Sequence, residues 1–84
     1  MNLFQLQKNT PARITEVLSN ASDDTLAKRL EDVGFVPGER LRVVAKAPLW
    51  KDPILVEIGF TRFALRKNEA ARILVHPIEK EEKA

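Results

Sequence analysis

Gly34-Phe35-Val36-Pro37-Gly38 constrains this chain more than any other stretch, because it joins a helix pattern to a strand pattern through one tight corner. Upstream, Leu26, Leu30 and Val33 recur at helical spacing, while Lys28, Arg29, Glu31 and Asp32 occupy the other face. Gly34 follows the last apolar position, where a left-handed cap favours a residue without Cβ. Pro37 presets φ for the first central position of a turn, and Gly38 tolerates positive φ at the next. Downstream, Leu41, Val43 and Ala45 alternate with Arg42, Val44 and Lys46, as expected of a strand with one buried face.

The same rules parse the rest of the chain. Residues 12–17 read as a first strand, with Ile14 and Val17 inward. The polar run 19–24 offers Ser22 or Asp23 as N-cap, and Asp23 and Asp24 suit the positive end of a helix over 24–33. A second strand is expected over 40–47. Residues 48–53 form a loop, since Pro48 and Pro53 remove backbone donors. Residues 54–58 make a third strand with Ile54, Val56 and Ile58 on one face. Gly59 permits a bend into a fourth strand over 62–65, with Phe63 and Leu65 inward. Residues 67–72 suffice for one helical turn, and 73–75 form the closing strand. Five short strands with one early helix and a late helical turn suggest a mainly β fold, a small closed barrel without free edges. Strand count alone fits an SH3-like or an OB-like barrel.

The ordered segments RLEDVGFVPGERLRVV, APLWKDPILVEI, RFALRKNEA and ILV resemble the FeoA family, small cytoplasmic accessory proteins of bacterial ferrous iron transport. The resemblance runs from about residue 3 to residue 75, and it selects the SH3-like topology. One departure is local: members commonly have glycine between Ala-Pro-Leu and Asp-Pro, where this chain has Trp50-Lys51.

A chain of 84 residues makes a single domain, 1–84, with a thin core; 76–84 reads as a flexible tail. Cysteine is absent, which excludes disulfides, thiolate metal sites and thiol catalysis. The opening residues lack the basic start and apolar run of a signal peptide. No apolar run approaches the roughly 20 residues of a membrane span. Net charge is +2, with cations concentrated at Arg40, Arg42, Lys46, Lys51, Arg62, Arg66, Lys67 and Arg72. Such a surface is either an ordinary solvated exterior or a site for an acidic partner, a membrane face or nucleic acid.

Nothing in the pattern points to an enzyme. His76 is the single histidine and has no nucleophile in sequence register with it. No Gly-x-x-x-x-Gly-Lys-Ser/Thr loop occurs. His76 and Glu79, three residues apart, are candidates for weak binding of Zn²⁺ or Fe²⁺; a tight site is not expected, and no cofactor is. Nucleic acid is disfavoured as well, because Tyr is absent and Phe63 reads as inward, leaving the cations without a stacking platform.

Trp50 separates two outcomes. It either meets a partner, as exposed loop tryptophans do at interface hot spots, or folds over the barrel end beside Phe35 or Phe60. The candidate partner surface is Phe35, Pro37, Leu49, Trp50 and Phe60, with Lys51 and Arg62 at its rim. The resemblance implies a non-enzymatic role beside the FeoB permease, at its GTPase-bearing cytoplasmic region, and contact with the membrane through that partner only. The alternatives are a regulatory adaptor resembling the C-terminal domain of iron-dependent repressors, or a small nucleic-acid-binding barrel.

Overall fold

The computed structural model describes residues 1–19 and 25–78. Its elements are a 3-10 turn at Leu3–Gln5, strand β1 at Ala12–Val17 and helix α1 at Thr25–Asp32. These are followed by β2 at Arg40–Lys46, β3 at Ile54–Ile58, β4 at Thr61–Leu65, helix α2 at Lys67–Ala70 and β5 at Ile73–Pro77. The five strands form one antiparallel sheet in the order β4-β3-β2-β1-β5. α2 carries the chain from one edge strand to the other, and the 3-10 turn packs on both α2 and β5. Thus the sheet curls around the core in the manner of a small barrel. The expected capping residues Ser22 and Asp23 lie outside the described residues.

The helix exit has the geometry its glycine suggested. Gly34 holds φ +120°, its N–H donates to Glu31 O at 3.1 Å, and the Phe35 N–H reaches back to Leu30 O at 3.0 Å. This pair of reverse bonds is the Schellman cap, which brings the residue after the glycine back onto the helix's third-last position. Leu30 and Phe35 accordingly join one core cluster. Val33, expected inward, occupies the cap position instead and is 44% exposed. No heavy atom lies within 4 Å of where a Gly34 Cβ would stand, so only backbone conformation resists substitution. Gly34→Val is expected to lower stability by about 1–2 kcal/mol, the cost of left-handed backbone for a bulky residue. A variant melting with the parent would disprove that cost.

Two bulges explain where alternation misleads. Between β1 and β5 the register steps from Ile14↔Val75 to Glu16↔Leu74, so Thr15 is extra. Ile14 and Val17, an odd number of residues apart, can therefore both turn inward. Between β2 and β3 the register steps from Val43↔Val56 to Ala45↔Leu55. The extra Val44 turns Ala45 outward, and the expected inward Ala45 is exposed. Strand β5 continues through His76 to Pro77, and Ile78 N–H donates to Pro11 O. The tail expected from residue 76 therefore begins as ordered strand; residues 79–84 lie outside the described residues. Among the described residues, no helix is long and apolar enough to cross a membrane.

Candidate functional site

Large apolar side chains come to the surface at the two ends of the β2-β3-β4 sheet. At one end the β2–β3 connection presents Leu49, 67% exposed, and Trp50, 84% exposed. The loop is held at its base: Ala47 N–H donates to Pro53 O at 3.1 Å. Asp52 Oδ1 accepts the Lys67 N–H at 3.0 Å, so this loop supplies a side-chain acceptor to the first turn of α2. At the apex Trp50 and Lys51 adopt φ +60° and +57°, the left-handed region that glycine would enter most readily. A tryptophan and a lysine are therefore displayed at the end of this loop. Trp50 does not close the barrel end.

A hollow lined by lysines adjoins this loop. Lys8, Lys46 and Lys51 line one open hollow with Gln7, Ala47 and Pro48. The Lys46 ammonium is pushed below its ordinary pKa by partial burial and then by repulsion from Lys51. Among the described residues no carboxylate lies within ion-pair distance of these three lysines.

The opposite end is organised differently. Phe60, in the β3–β4 turn after Gly59 at φ +58°, is fully exposed at 107% of its reference area. The register aligns Arg42, Glu57 and Arg62 across three strands. Glu57 Oε1 accepts from Arg42 Nε at 3.0 Å, and Oε2 from Arg62 Nε at 3.2 Å. The Arg62 hydrogen bond, followed by the bond and charge of Arg42, holds the Glu57 carboxyl below the usual carboxylate range. Arg42 also donates through Nη1 to Asn9 Oδ1 at 3.1 Å, which ties the N-terminal segment to the row. Arg40 lines the adjoining hollow with Pro11 and Gly59. Exposed Pro37, in the corner that feeds β2, belongs to this end.

The seven candidates for a partner surface thus divide. Leu49, Trp50 and Lys51 stand at one end, and Phe60, Arg62 and Pro37 at the other, separated by the length of β3, about 17 Å for five residues. Phe35 belongs to neither. It is 0% exposed and packs against Phe63 with ring centroids 5.4 Å apart and planes tilted, so the Schellman cap has drawn it into the core. Lys8 and Glu57 escaped the sequence reading, since only strand register and the path of residues 7–11 along β2 place them at these ends. His76 is exposed on β5 opposite Arg13, and Glu79 lies outside the described residues. A single imidazole is a poor start for a metal site, and the described residues hold no group of three His, Cys, Asp or Glu that could take an ion.

The FeoA domain model matches residues 1–77. The chain belongs to the FeoA family. Among solved structures, it is 46% identical to Stenotrophomonas maltophilia FeoA in complex with zinc, with a TM-score of 0.82 over 90% of this chain and 89% of that one. That protein is described as a unique procaryotic SH3 domain protein and a suggested ferrous iron transport activating factor. FeoA from Chlorobium tepidum is 35% identical, with a TM-score of 0.82 over 98% of this chain and 74% of that one. A manganese-dependent transcriptional repressor in complex with manganese shares the fold at 19% identity, with a TM-score of 0.80 over 93% of this chain and 36% of the repressor. A comparison with curated proteins finds no match. The mainly β, SH3-like architecture expected from the resemblance is therefore that of FeoA.

Proposed function

We propose that this FeoA chain is a non-enzymatic accessory protein of ferrous iron uptake. As one domain spanning 1–84, it acts in the cytoplasm by binding the GTPase-bearing region of a FeoB-type permease. The observation that carries the proposal is Phe60, a fully exposed ring beside the hydrogen-bonded Arg42–Glu57–Arg62 row. A rigid aromatic next to charges of both signs in fixed geometry is the type of surface that selects one protein partner, through a buried anchor and a polar rim. Pro37 extends the same end. No resident cofactor is part of this proposal, and a zinc or ferrous ion meeting His76 would be weakly held.

The test is Phe60→Ala. Because the ring is exposed, the melting temperature is expected to stay at the parent value. A central aromatic anchor contributes about 2 kcal/mol or more to binding, so affinity for the permease's soluble cytoplasmic region should fall roughly thirtyfold. Ferrous iron uptake by cells relying on the variant should fall with it. Unchanged affinity and uptake would remove Phe60 from the interface; absence of binding by the parent chain itself would remove the permease as partner.

A further inference from the structure

The Trp50 tip differs from the Phe60 end in its electrostatics, and the difference indicates another kind of occupant. Lys8, Lys46 and Lys51 share a hollow and no described carboxylate pairs with them, while the loop's Asp52 is engaged by the Lys67 N–H of α2. The tip's apolar part is two adjacent side chains at a loop apex, Leu49 and Trp50. They are well matched to a bilayer surface, where an indole settles at headgroup level and a neighbouring leucine reaches the acyl boundary. Lysine stems also lie comfortably along such a surface with their ammonium groups at the phosphates.

We propose that the Leu49–Trp50 tip, with Lys8, Lys46 and Lys51 around it, docks directly on an anionic phospholipid bilayer. The apex conformation serves this purpose, since left-handed backbone at Trp50 and Lys51 puts both side chains at the end of the loop. The Asp52 bond to Lys67 N–H keeps the loop base fixed on α2, so insertion orders little additional chain. Partial burial and then the Lys51 charge lower the Lys46 pKa, and approaching phosphates offset the second of these. Direct lipid contact goes beyond contact through a permease and is independent of it, because vesicles contain no protein partner.

Trp50 is the only tryptophan, so its emission reports on the tip alone. Adding vesicles of equal parts phosphatidylglycerol and phosphatidylcholine is expected to shift the emission to the blue and to carry the protein into the pellet on sedimentation. Raising salt should reverse both effects. Each lysine near an anionic surface is worth about a fivefold change in partitioning, so a Lys46→Gln/Lys51→Gln variant should bind about twenty-five-fold more weakly while keeping its fluorescent reporter. Trp50→Ala should melt like the parent and lose most of the pelleted fraction. An unshifted emission on anionic vesicles, equal binding to pure phosphatidylcholine, or indifference to the lysine changes would each overturn the proposal. Unshifted emission together with loss of permease binding by Trp50→Ala in detergent would assign the tip to a protein instead.

Discussion

Phe35→Ala is expected to cost about 3–5 kcal/mol, the usual range for truncating a buried aromatic. Phe35 is among the largest fully buried side chains of the domain, and two independent supports converge on it. The Schellman cap fixes its backbone to Leu30 O, and its ring meets Phe63 of β4 at 5.4 Å with the planes tilted by 60°. Truncation therefore opens a cavity between helix exit and sheet, and it also removes an aromatic pair worth about 0.5–1.5 kcal/mol beyond its area. An 84-residue domain has a total stability of about 4–13 kcal/mol, so this one change consumes much of it. Denaturant titration of parent and variant gives the answer. A loss below about 1 kcal/mol would mean that the ring is not a core element and would return Phe35 to the candidate surface.

Phe35 also shows what sequence patterns leave open. The Gly-x-x-Pro-Gly corner, the helix before it and the strand after it were all legible, because capping and turn chemistry act within a few residues. The direction of a side chain inside the corner was not. It depends on which carbonyl the Phe35 N–H reaches, and that places Phe35 inward and Val33 outward. β1 and β3 match the expected spans, since each is bounded by prolines, glycine or a polar run. Strand faces failed only at Ala45, where a bulge offset the pleat; nothing in Leu41-Arg42-Val43-Val44-Ala45 marks the extra residue, because bulges are settled between strands.

The candidate site was legible as residue types and illegible as a place. Trp50 and Phe60 stand out in any reading of the loops, yet grouping them as one surface ignored the strand that separates them. Once β3 lies between the two, their neighbours acquire meaning. Glu57 joins Arg42 to Arg62 only through register across three strands. Lys8 joins Lys46 and Lys51 only because residues 7–11 run alongside β2, where Asn9 N–H donates to Val43 O at 2.7 Å. Local pattern carries no information about such long-range neighbours. The two ends then differ in a way that composition hides: a hydrogen-bonded Arg42–Glu57–Arg62 row beside Phe60, and lysines without a paired carboxylate beside Trp50.

The N-terminal turn was missed altogether, and the largest expected loss of stability follows from it. A double variant Leu3→Ala/Leu6→Ala should fail to unfold cooperatively at moderate temperature and should be cleaved readily by proteases. Both leucines are fully buried, and each alone would cost about 2–5 kcal/mol as a large-to-small core change. Leu3 opens the 3-10 turn and Leu6 caps its end in extended backbone, its N–H donating to Leu3 O at 3.2 Å, and both side chains enter the core. The pair is expected to be coupled rather than additive, yet even a partial sum approaches the stability of the whole domain. Loss of the turn would also strip β5 of support on the edge away from β1, because Val75 N–H donates to Met1 O at 2.8 Å and Asn2 bridges to Leu74. Its contact with α2, where the Lys67 ammonium lies 5.5 Å from the Phe4 ring centroid, would go as well. A three-residue turn is too short for periodicity, but a signal was present: Asn2 and Gln5 have capping-box spacing and exchange both bonds, at 3.1 and 2.9 Å. Circular dichroism melting and limited proteolysis measure the outcome. A double variant that melts within a few degrees of the parent would show that the turn merely rests on a barrel able to stand without it.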